Sequence, residues 1–457
     1  MSSTLAHRQL RYALRTGVTC LTLPRGAVLL NPPQKKQMTG LSAAGRDALK
    51  ALNRGPALLS ALAPEPDGEV ALLLGQLVAE GWLAATVLDG DHDLYTLDPF
   101  TTPPDRPTGP PPPPGALSKF AILHREPSGF VLEHPLSWCD LRIGDPRILA
   151  VLGGQDPTES GLPAEIIERL AGDLHWAGFT ANPAQEAGQF TRRSWSAPDL
   201  WFHRRSTLGP RTITWEHFGP TKWAKGEFPQ PAARKPAYPG TPVELPVPDL
   251  DVLRAADPSL TAVLEDRHSC RAYDDSAPIT REQLAELLYR TARTRGTKPE
   301  GPGEELLSRP YPSGGGVYEI EIYPIVRSVA GLEAGMYHYD SFEHTLHRVA
   351  EPDSDEVRRL VRSTSATLVG GAEPQVVLLL AARAGRVMWT YEQVAYASIL
   401  KHVGVLMQTV YLAGTAMGLG ICAQGFSDTA AFVAAAGVDE LEECGVGSII
   451  VGSPARG

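Results

Sequence analysis

Residues 308–324 read Ser-Arg-Pro-Tyr-Pro-Ser-Gly-Gly-Gly-Val-Tyr-Glu-Ile-Glu-Ile-Tyr-Pro. The stretch joins a Pro-Ser-Gly-Gly-Gly turn, residues 312–316, to a run with alternating apolar side chains, which is typical of a strand. Because glycine has no Cβ, a flat or bulky ligand can approach the main chain closely at the start of this strand. A tight loop without a ligand would give the same pattern. Its function therefore has to be inferred together with the other motifs of the chain.

Composition sets the first limits on function. The chain has 457 residues, so two or three domains are expected. A net charge of −10 and the lack of a basic block argue against nucleic acid as the main partner. The sequence has no long apolar run and no export signal, and its five cysteines form no Cys-x-x-Cys pair. These features predict a cytoplasmic protein with reduced thiols, no metal site and no membrane segment.

Residues 1–100 predict a winged-helix-like module. Apolar positions recur at helical spacing across 41–62 with a break at Gly55-Pro56, and a third helix is expected over 69–80. Two short strands then form a hairpin over 82–97. Many such modules bind DNA, but no helix here carries clustered Lys and Arg. We therefore predict that the module binds an extended peptide along the exposed strand edge of the hairpin.

The regions that follow differ in composition. Residues 101–116 are rich in proline and predict a stiff, extended linker. Residues 117–185 are expected to form a second winged-helix-like module, because their main helix ends in a glycine before an aromatic residue, as the third helix of the first module does. Residues 186–250 predict an extended connector with aromatic anchors, in which His203 makes a structural contact.

Residues 251–457 alternate regularly between helices and strands and contain most candidate functional residues. Arg267, Ser269 and Arg271 alternate, so their side chains share one face of an extended segment. Two guanidinium groups and a hydroxyl on one face suit a dianionic phosphate, although a solvated strand edge would also fit. A helix is expected to begin after Thr280, with Gln283 at the capping-box position.

The last part of the chain predicts a hairpin, two apolar strands and a long helix. The hairpin covers 335–349, and the strands cover 375–384 and 447–452. A helical stretch runs from Trp389 to Leu419, and apolar side chains fall on all sides of it. Such a helix must be buried almost completely. An interface between two subunits would provide that burial.

In this order the motifs resemble those of the FMN-dependent nitroreductase fold. More narrowly, they resemble the thiazole/oxazole-forming peptide dehydrogenases, the streptolysin-S-type or McbC-like azoline oxidases. The matching motifs are Arg267-x-Ser269-x-Arg271, Arg309-Pro310-x-Pro312-Ser313-Gly314-Gly315, Gly335-x-Tyr337-x-Tyr339-Asp340, and Gln408 before Gly418-Leu419-Gly420. Residues 199–206 are similar to a stretch in actinobacterial members, particularly those of thiopeptide-type pathways.

The resemblance implies a fold and a cofactor. The fold is α+β, with winged-helix-like modules before a domain of one mostly antiparallel sheet flanked by helices. FMN would lie at a homodimer interface. Its phosphate would be held by Arg267, Ser269 and Arg271, with Arg456 as a further contact. The residues expected along the flavin are Pro312, Ser313, Gly314, Gly315, Gln408, Leu419 and Gly420.

The resemblance also implies a reaction. It is the two-electron oxidation of a thiazoline or oxazoline in a ribosomally made precursor peptide, in which a base removes the α-proton and FMN accepts the hydride. The implied partners are the azoline-containing peptide and the cyclodehydratase complex that makes the ring.

One departure from the family pattern concerns the catalytic residues. The family has a Lys-Tyr pair where this chain has Thr390 and Tyr391. An ammonium group beside the phenol would lower the phenol pKa, and a threonine cannot. Lys401 lies too far along a continuous helix to replace that lysine, so Arg386 or a cation from a partner chain would have to assist Tyr391. A purely structural, buried tyrosine is the alternative interpretation.

Two other functions remain open at this stage. One is a flavin reductase of the same fold that acts on small nitro or enone compounds. The other is a low-activity scaffold that binds precursor peptide and cyclodehydratase, with chemistry weakened by Thr390, whether that residue is natural or engineered.

Overall fold

We describe the protein from a computed structural model, which describes residues 10–301 and 303–455. The described chain divides after Phe218 into two compact units, unit 1 (10–218) and unit 2 (219–455). Each unit has its own hydrophobic core. Within the described ranges, no helix has the length and apolar character needed to cross a membrane.

Unit 1 contains ten strands and nine α-helices among its described residues. The strands are β1 (Leu10–Leu14), β2 (Thr19–Leu23), β3 (Gly26–Asn31), β4 (Gln34–Thr39), β5 (Ala57–Leu58), β6 (Leu83–Asp89), β7 (His92–Pro99), β8 (Ile122–Glu126), β9 (Gly129–Glu133) and β10 (Cys139–Ile143). The helices are α1 (Ala43–Arg54), α2 (Leu59–Leu62), α3 (Glu69–Ala79), α4 (Pro146–Leu152), α5 (Ala164–Trp176), α6 (Pro183–Gly188), α7 (Phe190–Arg193), α8 (Ala197–Arg205) and α9 (Trp215–Phe218).

The first helices follow the predicted pattern. The Ser42 hydroxyl accepts the Gly45 N–H at 3.0 Å and caps α1, whose Leu49 and Leu52 enter the core. The break at Gly55 is confirmed, and α3 and the β6–β7 hairpin lie where they were expected. The sequence interpretation missed the small sheet β2-β3-β4 that precedes α1.

The hairpin β6–β7 lies inside a larger sheet. The strand order is β5-β1-β6-β7-β10-β9-β8, and all neighbours are antiparallel. Both edges of the hairpin are therefore occupied, by β1 and by β10, and the edge expected to receive a peptide is not free. Because β7 and β10 are hydrogen-bonded and share one core, residues 1–100 and 117–185 are not separate domains.

The proline-rich segment 101–116 is packed against α5. The Trp176 indole N–H donates to the Pro104 carbonyl at 2.8 Å. Arg106 lies over the Trp176 ring at 4.0 Å and pairs with the buried Asp173 at 3.2 Å. The segment is extended, but these contacts fix it to unit 1, so it does not act as a spacer between domains. The predicted boundaries at 185 and 250 likewise do not coincide with the division after Phe218.

Unit 2 contains the remaining described elements. The strands are β11 (Val243–Glu244), β12 (Gly296–Gly301), β13 (Glu304–Ser308), β14 (Ile320–Val326), β15 (Gly335–Asp340), β16 (Thr345–Ala350), β17 (Val376–Ala382), β18 (Gly420–Gln424) and β19 (Cys444–Gly452). The helices are α10 (Leu250–Ala256), α11 (Leu260–Asp266), α12 (Arg281–Ala292), α13 (Asp355–Ser365), α14 (Ala384–Thr390), α15 (Ala395–Ala416) and α16 (Thr429–Ala436).

The main sheet of unit 2 is antiparallel, with strand order β11-β16-β15-β14-β17-β19-β18. Both of its faces are covered. Alternate residues of β17, such as Leu378 and Leu379, enter two different cores. The first core includes side chains from α12 and α15, and the second includes side chains from α13 and α16. The predicted α+β class, with a sheet flanked by helices, is confirmed for this unit.

Two predictions about unit 2 were wrong in detail. The stretch before Pro310 is rich in Gly and Glu, a composition that predicts a loop, but it contains the hairpin β12–β13. The predicted helix from Trp389 to Leu419 is divided into α14 and α15, and it ends at Ala416. The capping box at Thr280 and the hairpin over 335–349 are confirmed.

Candidate functional site

The glycine-rich turn before β14 has an unusual backbone. Gly315 and Gly316 both have a φ of 63°, in the left-handed region that glycine adopts without strain. Tyr318 also has a positive φ, of 47°, and its N–H donates to the Ser313 hydroxyl at 3.1 Å. The sequence Ser-Gly-Gly-Gly therefore meets a specific conformational requirement of this turn.

The same turn lies against Tyr391. A Cβ built on Gly315 would stand 2.9 Å from the Tyr391 hydroxyl and 3.5 Å from the Thr390 methyl group. A Cβ on Gly314 would stand 3.3 Å from Nε2 of His402. The structure thus brings the predicted turn and the predicted pair Thr390–Tyr391 together, and it adds His402.

A segment distant in sequence holds Tyr391 between two helices. Helix α14 ends at Thr390, and Tyr391 is extended, with φ −130° and ψ 146°. The Thr221 N–H donates to the Thr390 carbonyl at 3.0 Å, and the Glu392 N–H donates to the Gly219 carbonyl at 2.8 Å. These bonds replace helical hydrogen bonds, so Tyr391 lies at a break in the helix and is not a mid-helix residue.

The side chains of Thr390 and Arg386 are both hydrogen-bonded to backbone carbonyls. The Thr390 hydroxyl donates to the Arg386 carbonyl at 3.2 Å. The Arg386 guanidinium is buried and donates to three carbonyls, those of Val317, Pro231 and Glu305. Burial, together with nearby arginines, lowers its pKa to about 10. Arg386 therefore connects the turn region to residue 231 through hydrogen bonds to backbone carbonyls.

His402 and Glu319 form a buried pair behind the turn. The two side chains are 7% and 0% exposed, and Nδ1 of His402 lies 2.8 Å from Oε1 of Glu319. Nε2 of His402 accepts the Gly314 N–H at 2.8 Å. Neither residue was predicted as part of the site. Glu319 interrupts the apolar run that opens β14, and His402 lies among the buried positions of α15, which are the only traces of the pair in the sequence.

A second buried histidine–glutamate pair lies in the same unit. Nε2 of His338 on β15 is 3.1 Å from Oε2 of Glu321 on β14. Burial opposes ionisation of Glu321, but His338 together with Arg309 and Arg383 outweighs it and lowers the Glu321 pKa to about 2. None of the contacts described for this pair involves the glycine-rich turn.

The predicted phosphate residues form another group, on Tyr411 of α15. The Ser269 and Tyr411 hydroxyls are 2.8 Å apart, and Arg267 lies over the Tyr411 ring at 5.3 Å. The Cys270 N–H donates to the Ile421 carbonyl at 2.9 Å, so the segment lies beside β18. Arg271 is exposed. Among the described residues, no carboxylate oxygen lies within 4.0 Å of either guanidinium.

The other predicted contacts have different surroundings. Gln408 is exposed on α15, whereas Leu419 packs in the core. A Cβ on Gly420 would stand 2.8 Å from Sγ of Cys270 and 2.9 Å from the Tyr273 ring, so packing alone requires glycine there. Arg456 lies outside the described residues.

A buried Ser–His–Glu cluster in unit 1 has the three residue types of a hydrolase triad, but its hydrogen bonds run in the wrong direction for such a triad. The Ser118 hydroxyl donates to Glu186 at 2.6 Å and lies 3.2 Å from Nε2 of His134. Nδ1 of His134 accepts the Leu136 N–H at 3.1 Å, so the ring proton is on Nε2. His134 therefore cannot take the serine proton. Burial lowers the His134 pKa to about 4, which keeps the ring neutral.

Comparisons with known proteins agree with the division into units. Residues 264–453 match the nitroreductase family, and residues 116–212 match the cyanobactin oxidase ThcOx family. The protein MJ1384 of Methanocaldococcus jannaschii, assigned to the nitroreductases, is 30% identical over 186 residues, which are 41% of this chain and 85% of that protein.

Solved structures show lower similarity. A nitroreductase-like protein from Ralstonia eutropha JMP134 has 23% identity and a TM-score of 0.37, covering 52% of this chain and 99% of its own. The Escherichia coli microcin synthetase McbBCD complex with truncated pro-MccB17 has 19% identity and a TM-score of 0.35, covering 42% of this chain and 70% of that one. Given the match of residues 264–453 and a relative covered over most of its length, the chain belongs to the nitroreductase family.

Proposed function

We propose that the protein is an FMN-dependent oxidoreductase that converts thiazolines or oxazolines in a ribosomally made peptide into thiazoles or oxazoles. One observation carries the proposal: the Tyr391 hydroxyl lies 2.9 Å from the Cβ position of Gly315, in the turn expected beside the flavin. A hydroxyl in this position is able to accept or donate a proton next to a flat ring on the turn.

The residues present fit FMN. Members of the nitroreductase family typically bind this cofactor. Gly314 and Gly315 place main chain without side chains beside Tyr391 and His402, and the guanidinium groups of Arg267 and Arg271 have no carboxylate partner among the described residues. Two such groups beside the Ser269 hydroxyl suit a phosphate monoester.

Each residue has a role in the proposal. Arg267, Ser269 and Arg271 hold the phosphate, and Pro312 to Gly315 lie along the ring system. Bound FMN would supply a two-electron acceptor. Tyr391, as its phenolate, would take the proton from the azoline ring carbon and become the neutral phenol. Because residue 390 is a threonine, the tyrosine acts without the neighbouring ammonium of the family pattern.

The surface of α15 supports the predicted homodimer. Tyr411 contacts the predicted phosphate residues, and His402 contacts the glycine-rich turn. Because Tyr411 and His402 are nine residues apart on α15, they lie about 13.5 Å apart along the helix axis and on opposite flanks of the helix. Between them lies an exposed stripe that includes Gln408. Leu400 and Tyr396, on the same helix, are 41% and 40% exposed. A second copy would cover these apolar groups.

The match of residues 116–212 to the cyanobactin oxidase family supports a peptide substrate. Peptide binding by the winged-helix-like part of unit 1 remains part of the proposal, but the edge of the β6–β7 hairpin is occupied. The five-residue outer strand β8 and the shorter β5 are the terminal strands of that sheet. The cyclodehydratase that forms the azoline is the implied upstream partner, and a thiopeptide-type pathway is suggested by residues 199–206.

Two measurements test the proposed function. The purified protein should bind FMN, and with an azoline-bearing peptide it should remove two hydrogens per ring, as detected by mass spectrometry. A protein that shows no flavin absorbance, and gains none with added FMN, would contradict the proposal. Turnover of small nitro compounds with a nicotinamide donor, but not of peptide, would favour a small-molecule reductase. Peptide binding without oxidation would favour the scaffold.

Replacing Arg267 or Arg271 with glutamine is expected to weaken FMN binding about tenfold or more. A charge-assisted hydrogen bond contributes roughly 1.5–3 kcal/mol, and about 1.4 kcal/mol corresponds to tenfold in Kd. The lost affinity should come from contacts with the phosphate group of FMN and not from contacts with its ring system. Titrations that follow flavin fluorescence should show that each variant loses its preference for FMN over riboflavin.

Arg254 provides the matched control for these substitutions. It lies on α10, and its side chain is 79% exposed. Arg254→Gln should leave both affinities at the wild-type value. If FMN and riboflavin bind Arg267→Gln as they bind the wild type, these residues do not form the phosphate site.

A further inference from the structure

The glycine-rich turn is held from behind by a chain of hydrogen bonds that starts at a buried carboxylate. Glu319 Oε1 is 2.8 Å from Nδ1 of His402, and Nε2 of His402 is 2.8 Å from the Gly314 nitrogen. Glu319 precedes β14, and His402 is on α15. The chain therefore connects the central strand, the long helix and the turn.

The donors fix the tautomer of His402. A backbone N–H can only donate, so Nε2 is the acceptor and carries no proton. The ring proton is then on Nδ1 and is donated to Glu319. Protonation of Nε2, or loss of the imidazole, would leave the Gly314 N–H without this acceptor.

Stability alone does not explain the pair. Oε2 of Glu319 is buried and has no hydrogen-bond partner among the described residues. A buried carboxylate that is only partly satisfied destabilises a fold relative to apolar packing. Arg386 interacts electrostatically with Glu319 and with Arg309. Both arginines donate hydrogen bonds to backbone carbonyls. The remaining effect of the pair is to set the direction of the Gly314 N–H.

We propose that Glu319 and His402 are positioning residues that hold the turn in its flavin-binding shape and thereby determine the affinity for FMN. The inference rests on the proposed function, because the turn is assigned there to the flavin. The inference concerns the shape of the turn before any substrate binds. Flavin binding is therefore its direct measure.

Two substitutions at His402 distinguish the effect of its hydrogen bonds from the effect of its side-chain volume. His402→Leu removes both ring nitrogens and should weaken FMN and riboflavin binding about tenfold, because the Gly314 N–H loses its acceptor. His402→Gln retains one acceptor and one donor, so it should restore most of the affinity. Flavin fluorescence titrations of the full chain would measure both, with thermal unfolding of the flavin-free protein run alongside.

The second histidine–glutamate pair gives the matched control. His338 is 4% exposed and is bonded to Glu321, and none of its described contacts involves the turn. His338→Leu should lower thermal stability as His402→Leu does but should leave flavin affinity unchanged. Equal loss of flavin affinity in both leucine variants would overturn the inference, because it would indicate a general effect of buried histidines.

A measurement on the wild-type protein avoids any folding defect. Nitrogen-15 NMR of histidine-labelled, flavin-free protein, with His402 assigned by comparison with His402→Gln, should show a proton on Nδ1 and none on Nε2. A proton on Nε2 would overturn the inference. Failure of the wild type to bind FMN would instead contradict the proposed function. Normal wild-type binding with unchanged affinity in His402→Leu would contradict only the positioning role.

Discussion

Tyr391→Phe is expected to slow azoline oxidation about 100-fold or more while FMN affinity stays at the wild-type value. Proton transfer by a positioned side chain typically contributes between about 10² and 10⁴ in rate, and phenylalanine lacks the hydroxyl that would perform it. The ring itself is retained, so the turn keeps its apolar neighbour. The measurement is the rate of flavin reduction by an azoline peptide in a single anaerobic turnover, together with an FMN titration.

Tyr289 is a suitable control for this substitution. It lies on α12, its ring is 4.9 Å from that of His344, and none of its described contacts involves the turn. Tyr289→Phe should react at the wild-type rate. An unaltered rate in Tyr391→Phe would assign the tyrosine a structural role, and the base would have to be sought elsewhere.

Gly315→Ala is expected to impair both the fold and flavin binding. At a φ of 63° an alanine costs roughly 1–2 kcal/mol, and its Cβ would also stand 2.9 Å from the Tyr391 hydroxyl. The turn or the tyrosine must then move. We expect FMN affinity to fall about tenfold or more, measured by titration, with a lower midpoint of thermal unfolding.

A substitution at Gly370 distinguishes the backbone cost of a positive φ from the effect of the contact with Tyr391. It has almost the same backbone geometry, with φ 65° and ψ 11° against 63° and 10° at Gly315, and a Cβ there would have no neighbour within 4 Å. Gly370→Ala should therefore show only the backbone cost and normal flavin binding. If both variants bind FMN normally, the contact with Tyr391 has no consequence for the site.

The sequence predicts those elements whose determinants are local. The capping box at Thr280 lies within four consecutive residues. The apolar run of β17 reflects burial on both faces of one strand. The Ser-Gly-Gly-Gly turn needs positive φ angles that glycine adopts readily. In each case the residues that determine the structure are neighbours in the chain.

The features that the sequence does not predict depend on distant segments. No glycine or proline lies between Trp389 and Ala395, and the break there is made by backbone hydrogen bonds to residues 219–221. His402 and Glu319 are 83 residues apart, and nothing in either segment indicates the pairing. The pairing of β7 with β10 crosses a proline-rich segment whose composition suggested separate domains.

The hydrogen bonds at residues 219–221 also affect how the protein should be divided for expression. The family match begins at residue 264, but the backbone on either side of Tyr391 bonds to Gly219 and Thr221. Strand β11, at one edge of the main sheet, also precedes that match. A truncated C-terminal fragment would have to begin no later than Gly219, because a shorter one would retain the motifs proposed to bind flavin but lose the segment that shapes its candidate catalytic residue.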